Sequence, residues 1–481
     1  MDTMAAADAP VPELQARAAS CAQRLLGADR VLLASHIDAD GLTSAAVAAL
    51  ALERAEIPFE TVFEKQLDAE SIAAIAERDF GTVLFTDFGS GQLDIIAEHE
   101  SAGDFVPVIA DHHQPADAET EHHLNPLLEG IDGASELSGA GASYVLAREL
   151  AAHSPADERL DNRDLAALAV VGAVGDMQAS EGQLRGANGA IVAEGVDAGV
   201  LEETKDLAVY GKQTRPLPKL LEYASDVRIP GITNDERGAV SFLDGLDIPC
   251  RADGEWKRWV DLTDDEKRTL ASALVKHAVS RGVPAFKIDR LVGTSYLLAE
   301  EAVGTELRDA SEFSTLLNAT ARYERADVGL AVCLGDRDSA FDRARELLRN
   351  HRRNLSEGIG WVEENGVTRT EHLQWFDAGA EIKETIVGII AGMSMGADGV
   401  SRDRPIVAFA EKSDEETKVS GRATGPLVSS GLDLSVVMGE AARAVGGDGG
   451  GHDIAAGATI PAGEEAAFIE HADRIAGEQL A

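Results

Sequence analysis

The sequence predicts an α/β protein. It has an N-terminal doubly wound parallel sheet, an inserted α/β middle domain and a C-terminal α/β domain. Three observations carry this prediction. Over residues 30–110, short apolar runs alternate with Ala/Leu-rich helical stretches, the pattern of parallel strands covered on both faces. Proline and glycine punctuation then thickens at Pro216, Pro218, Pro230, Gly231 and 245–254. An alternating pattern restarts after about residue 371. At 481 residues the chain also exceeds what one core organises. The expected divisions are an N-terminal extension over 1–24, a first domain over 25–185, a middle insertion with a linker helix over 186–370, and a last domain over 371–481.

Taken in order, 30–36 reads as a buried strand, a short apolar run ending in polar residues. A helix over 42–55 follows it, opened by Gly41. Strands are expected over 59–63, 82–86 and 105–110, and helices over 68–77 and 92–100. Two further helices, 140–152 and 163–174, complete the first domain. In the middle, 270–279, 312–318 and 339–354 look helical, the last an amphipathic surface helix. The final segment gives a helix over 382–395, strands over 405–411 and 417–420, a helix over 434–445 and a Gly-rich loop over 446–452.

The charge balance is extreme: 84 acidic against 43 basic residues, a formal net charge of -41. The acids run along the whole chain, which excludes a simple acidic tail. Exposed charges repel over a Debye length of roughly 8–10 Å in dilute salt but only about 3 Å at molar salt. The composition therefore reads as adaptation to a salt-rich cytoplasm, as in a halophilic archaeon. In such salt counterion release contributes little, so acidity does not exclude a nucleic-acid ligand; metals, local arginines and stacking would carry binding. Cys21, Cys250 and Cys333 lie far apart without metal-ligand spacing and fit buried thiols in a reducing compartment. The first residues lack the basic-then-apolar pattern of a signal peptide, and no run approaches the roughly 18 apolar residues of a membrane span. A cytoplasmic location without membrane contact is expected.

Chemistry concentrates in four stretches at strand ends or in the following helix: His36-Ile37-Asp38-Ala39-Asp40-Gly41, Asp87-Phe88-Gly89, Asp111-His112-His113 and Gly175-Asp176-Met177. Strand carboxyl ends are where open α/β sheets bind ligands. In an extended chain, side chains two apart share a direction, so His36, Asp38 and Asp40 would converge. Singly, each has a plain structural reading. Asp87 could cap a helix, Asp176 could end one, and a His pair could be solvated. Together, at the ends of apolar runs, they demand compensation for clustered negative charge, and divalent cations are the usual one. The remaining histidines, His122, His123, His277 and His351 among them, have no such company and read as ordinary surface or core residues.

These residues resemble the DHH phosphoesterases, whose name-giving motif matches Asp111-His112-His113. The His36–Gly41 stretch resembles their first motif, Asp87 their second and Gly175-Asp176-Met177 their fourth, and Asn125-Pro126 stands where the family carries an Asn-Pro pair. Gly449-Gly450-Gly451-His452-Asp453-Ile454-Ala455-Ala456-Gly457 is similar to the signature of the associated DHHA1 domain, and Lys418–Arg422 to the strand before it. The stretches 316–322 and 332–336 resemble the archaeal RecJ-like exonucleases. The resemblance implies two ions, Mn²⁺ or Mg²⁺, held by His36, Asp38, Asp40, Asp87, His112 and Asp176, with Asp87 as bridge. Asp111 and His113 stand open as ligand, support behind a ligand, or general acid. Arg422, Gly449, Gly450, Gly451 and His452 would hold substrate phosphate, the glycines by backbone N–H approach. The implied activity is hydrolysis of single-stranded DNA or RNA from an end. Alternatives are an oligonucleotide or cyclic-dinucleotide phosphodiesterase, a pyrophosphatase, or a scaffolding subunit associated with a GINS-type replication complex.

Overall fold

The computed structural model describes residues 9–154, 161–179, 182–224, 227–397 and 399–480. It divides into two compact units, Met1–Arg345 and Glu346–Ala481. Residues 1–8, part of the expected N-terminal extension, lie outside the described residues.

The first unit opens with helix α1 (Gln15–Leu26) and then alternates strictly: β1 (Val31–His36), α2 (Ala39–Arg54), β2 (Phe59–Glu64), α3 (Ala69–Ala76), β3 (Thr82–Thr86), α4 (Leu93–Ala102) and β4 (Val106–Ala110). A two-residue strand, β5 (His123–Leu124), follows, then α5 (Gly139–His153), α6 (Ala166–Gly175) and α7 (Gly186–Asp197). The strands form one parallel sheet in the order β2-β1-β3-β4-β5. Successive residues of β1 face opposite layers. Leu32 and Ala34 join Ile72, Phe85, Ile96 and Phe105 in a core beneath α3 and α4. The other face is covered by α1, α2 and α5, and α6 packs on α2 and α5. This is the doubly wound sheet that the alternation of apolar runs predicts. Two details differ. Helix α2 begins at Ala39 rather than at residue 42, because the Asp38 carboxylate caps it by accepting the Gly41 N–H at 2.9 Å. Strand β5 was not expected: two residues carry no periodicity, and only pairing with β4 makes them a strand.

The middle of the chain hangs on an antiparallel pair, β6 (Leu201–Leu207) with β9 (Val292–Leu298). Between them lie α8 (Leu217–Glu222), α9 (Glu236–Asp244), the short hairpin β7 (Arg251–Ala252) and β8 (Glu255–Trp256), α10 (Asp264–Ser280) and α11 (Ala285–Ile288). They enclose their own core around Leu220, Trp259, Leu270 and Leu274. Helices α12 (Ala310–Arg322) and α13 (Ala326–Cys333) then return to pack on α6 and α2. Cys21, Cys250 and Cys333 are buried free thiols.

The division between the units falls within one long helix, α14 (Ser339–Asn365), which continues eleven residues past its expected end at 354. In the second unit, β10 (Thr368–Arg369), β11 (Gln374–Asp377), α15 (Glu384–Ser394), β12 (Ile406–Glu411), β13 (Glu416–Arg422), α16 (Gly425–Ser429), α17 (Leu434–Ala444), β14 (Asp448–Gly451), β15 (Ala455–Pro461) and α18 (Glu465–Leu480) follow. Six strands form a mixed sheet in the order β10-β11-β12-β13-β15-β14. Helix α15 covers one face, with Ile386 and Ile390 against Ile406 and Ala408. Helices α17 and α18 cover the other, with Val437 and Phe468 against Phe409 and Val419. The Gly-rich stretch is therefore not a loop. Pairing with β15 orders 448–451 as an edge strand, a tertiary effect that its composition does not show. Among the described residues no helix is long and apolar enough to cross a membrane.

Candidate metal centre

The carboxyl ends of β1, β3 and β4 and the end of α6 deliver the acidic and imidazole groups to one place. His36 is the last residue of β1; the chain then turns into α2, with Asp38 as its cap and Asp40 in its first turn. Asp40 is buried, and both its oxygens are claimed by the start of α5: Oδ2 accepts the Gly139 N–H at 2.7 Å and Oδ1 the Ala140 N–H at 3.0 Å. A helix N-terminus favours negative charge there. Asp87 follows β3 with φ at 60°, a left-handed conformation that costs about 1 kcal/mol and that aspartate tolerates. Residue 139 must be glycine for α5 to come this close, since a Cβ there would lie 2.4 Å from Asp87 Oδ1.

Six predicted ligands converge in two groups, within each of which the ligand atoms lie within 4.8 Å of one another: His36, Asp38 and Asp87, and Asp40, His112 and Asp176. Asp87 stands between them. Its Oδ2 is 3.6 Å from His36 Nδ1, and its Oδ1 is 3.4 Å from His112 Nε2. His36 Nδ1 also lies 3.3 Å from Asp38 Oδ1, and His112 Nε2 lies 3.8 Å from Asp40 Oδ2. His36 and Asp38 meet as residues two apart in an extended chain would, and only Asp40 departs from that expectation. Because α2 starts between the two aspartates, Asp38 and Asp40 belong to different groups.

The donor set fits divalent cations. Asp87 Oδ1 is buried with no hydrogen-bond partner. His112 Nδ1 lies 2.7 Å from the Gly133 carbonyl, which can only accept, so Nδ1 carries the proton and Nε2 is turned toward the carboxylates. Charge balance points the same way. Burial and the neighbouring Asp87 push Asp40 well above the usual carboxylate range, and burial likewise raises Asp176. Burial opposes charge on His36 and His112, yet the contacts of His36 with Asp38 and Asp87 and of His112 with Asp87 prevail and push each up to about 11. Asp87, although buried, is held at about 2 by those two imidazoles. The cluster of carboxylates thus favours positive charge at this place, and a ligating imidazole would give up its proton to a metal cation.

Asp111 is a brace. Its Oδ1 accepts the N–H groups of His112 at 2.7 Å and His113 at 3.2 Å and faces His113 Nδ1 at 2.8 Å, while Oδ2 accepts Ser90 N–H at 2.9 Å. Despite burial these bonds hold its carboxyl far below the usual range. His113 is half-exposed, with its ring centroid 4.3 Å from that of His112; its bond to Asp111 raises its pKa. A cavity of about 400 Å³ opens over His36, Asp87, His112, His113 and Asp176, and Lys65 lines its wall.

Sequence reasoning missed part of the support. Ser90 Oγ lies 2.9 Å from both His123 Nε2 and Asn125 Nδ2, which ties Asp111's partner to β5. His123 is a buried core residue, as expected, and its contact with Ser90 makes it part of this support. Burial pulls its pKa down to about 4, so it is a neutral member of this network. Its position two residues before Asn125 was the available signal. Gln178, beside Asp176, was also missed.

In the second unit, β13 and β15 bring Arg422 opposite Ala455, and the His452 N–H donates to the Ala455 carbonyl at 2.9 Å. Arg422 and His452 therefore share one end of the sheet. Gly449, Gly450 and Gly451 lie on edge strand β14, against α17. The Arg422 side chain runs over the opposite face, above Gly388 of α15, and its Nη1 donates to the Gly421 carbonyl at 2.7 Å.

Comparison with known proteins matches three domain families along the chain. They are the DHH family N-terminal domain over residues 30–173, the DHH-CID domain over 209–292 and the DHHA1 domain over 373–478. An uncharacterised protein of Methanocaldococcus jannaschii is 30% identical over 454 residues, 93% of each chain. Among solved structures, RecJ of Thermus thermophilus in complex with Mn²⁺ is similar at TM-score 0.60 and 17% identity; the alignment covers 98% of this chain and 55% of that one, so this chain spans about half of that RecJ. An exonuclease RecJ bound to manganese is similar at TM-score 0.59 and 17% identity, covering 97% and 95%. CDC45 from Entamoeba histolytica is similar at TM-score 0.63 and 10% identity, covering 96% and 97%.

Proposed function

Because this chain belongs to the DHH/DHHA1 phosphoesterase family, we propose that it hydrolyses phosphodiester bonds of single-stranded nucleic acid from an end, using two divalent ions, Mn²⁺ or Mg²⁺. The observation that carries this reading is Asp87, a buried carboxylate whose two oxygens face two separate ligand groups. His36 and Asp38 would hold one ion, Asp40, His112 and Asp176 the other, and Asp87 would bridge them. The mixed imidazole and carboxylate set suits Mn²⁺. Such a pair lowers the pKa of water and neutralises charge on the phosphoryl oxygens.

The remaining work falls to the chain. The N-terminus of α5 fixes Asp40, and Asp111 fixes the His113 ring through Nδ1 and favours its protonated form, in which Nε2 would donate to the leaving or non-bridging oxygen. Arg422, His452 and the backbone of Gly449, Gly450 and Gly451 would hold substrate phosphate. The net charge of -41 supports working conditions in concentrated salt.

Incubation of the protein in molar KCl and Mn²⁺ with 5′- and 3′-labelled single strands, duplexes, dinucleotides and pyrophosphate tests this. Stepwise release of mononucleotides from single strands is the expected outcome. Turnover of dinucleotides or pyrophosphate alone would replace the exonuclease by a smaller-substrate phosphoesterase, and inertness toward every substrate would end the proposal. A second reading, association with a GINS-type replication complex, is favoured by the shared fold with CDC45 over nearly the whole chain. Pull-down from a native high-salt lysate tests it; an intact ligand set argues that such a subunit would still be an active hydrolase.

A further inference from the structure

We infer that Gln178 is a positioning residue that couples two ligands of the metal centre, Asp176 and His112, through a single buried amide. The inference rests on the metal reading above. It starts from how α6 ends. Met177 takes a left-handed conformation at φ 62°, and the Gln178 N–H bonds back to the Ala173 carbonyl at 3.0 Å. This is a helix terminus of the kind that usually places glycine at the left-handed residue. The reversal folds the Gln178 side chain inward, beside Asp176, where only 4% of the residue is exposed.

Every polar atom of that side chain is used. Nε2 donates to Asp176 Oδ2 at 2.8 Å and to the Gly133 carbonyl at 2.8 Å, while Oε1 accepts Asn188 Nδ2 at 2.6 Å. The amide has one possible orientation, since both partners of its nitrogen are pure acceptors and its oxygen faces a donor. Gly133 supplies the link to the other ligand: its carbonyl also accepts His112 Nδ1 at 2.7 Å. The turn carrying Gly133 is pressed against the backbone of His112, so that a Cβ at 133 would fall 2.1 Å from the His112 carbonyl oxygen. Asn188, in the first turn of α7, is itself fixed by its N–H to the Glu136 carbonyl at 2.8 Å. One rigid chain thus runs from α7 through Gln178 to the carboxylate of Asp176 and to the carbonyl that sets the tautomer of His112. Asp176 ends a helix beside other carboxylates that repel it. The Gln178 amide holds its oxygen in place against them. Partners of this kind change metal affinity by roughly 10–100-fold when removed.

The test is calorimetric titration of the metal-free full-length chain with MnCl₂ in molar KCl, alongside thermal unfolding of the same samples. Gln178→Met keeps the volume and removes all three hydrogen bonds; Asn188→Leu leaves Gln178 but removes the donor to its Oε1. Gln178→Met is expected to weaken Mn²⁺ binding at one site by about 10–100-fold, with a smaller loss for Asn188→Leu, and hydrolysis should recover as Mn²⁺ is raised. Unchanged Mn²⁺ affinity in Gln178→Met, even with a lowered melting temperature, overturns the inference and leaves the metal reading intact. Should Gln178→Met fail to fold, Asn188→Leu decides by the same criterion. A wild-type chain that takes up no Mn²⁺ overturns the metal reading, and this inference with it.

Discussion

The ends of the two sheets present functional residues in opposite ways. At the first sheet the groups are side chains, mostly buried, each held by backbone groups or by another side chain: Asp40 by the N–H groups of α5, Asp111 by Ser90 and His113, His112 by the Gly133 carbonyl. At the second sheet they are exposed glycine backbone and the ends of two strands, with Arg422 lying over α15. A buried carboxylate is expensive unless a partner is built for it, so the first constellation is rigid before any ligand arrives. An edge strand offers N–H groups without burial and is specified more weakly. The first region therefore fits the reaction centre proposed above, and the second the proposed holding surface.

The largest effect that would break this contrast is at Asp87. Asp87→Ala or Asp176→Ala is expected to lower hydrolysis by at least about 10³-fold, with an unchanged circular dichroism spectrum. Retained turnover in both would put the chemistry elsewhere. Gly139→Ala comes next. Its Cβ would meet Asp87 Oδ1 at 2.4 Å at the start of α5, so the helix or the carboxylate must shift. A fall of about 10²-fold in kcat, with a destabilisation of about 1–3 kcal/mol by urea unfolding, is the expected result.

The holding surface should respond differently. Arg422→Ala and His452→Ala are expected to raise KM for single strands by about 10-fold while kcat moves by less than about 3-fold, because they remove uniform binding. Steady-state kinetics at fixed Mn²⁺ separates the two parameters. A fall in kcat comparable to that of Asp87→Ala would move these residues into the reaction centre and erase the difference between the sheets.

The sequence exposed the first region better than the second for a physical reason. Apolar runs ending in His36, Thr86-Asp87 and Asp111 are local signals, and a carboxylate at the end of a buried strand is conspicuous. What sequence could not show were dependencies between distant segments. Ser90 matters because its N–H meets Asp111, and Gln178 because Gly133 lies across from it. The start of α2 at Ala39 was hidden because Asp38 reads equally well as a ligand and as a cap. In the second unit the run 446–452 has the composition of a loop; β15 makes part of it a strand. Helices α12 and α13 sit in the middle of the chain but pack on α2 and α6, a pairing that no periodicity encodes.

A buried carboxylate outside the metal centre should behave unlike those within it, and Glu312 in α12 supplies the comparison. It is 1% exposed, and its partners are neutral: the Gln213 N–H donates to Oε1 at 2.7 Å, and the Thr214 hydroxyl donates to Oε2. Burial pushes its pKa up to about 7, and those hydrogen bonds pull it back only partly. The folded chain therefore holds this proton to higher pH than the unfolded chain, whose ordinary value is 4.5. Its contribution to stability is complete below that ordinary value and fades as pH rises through about 7, to a total of roughly 3 kcal/mol. Glu312→Gln keeps an acceptor for Gln213 and has no charge to bury. Urea unfolding at pH 5 and pH 8 should show the variant gaining on the wild type as pH rises, by up to about 3 kcal/mol. A difference between the two chains that does not change with pH would mean that a counter-charge already neutralises Glu312, and that buried carboxylates in this unit are compensated away from the metal centre as well as within it.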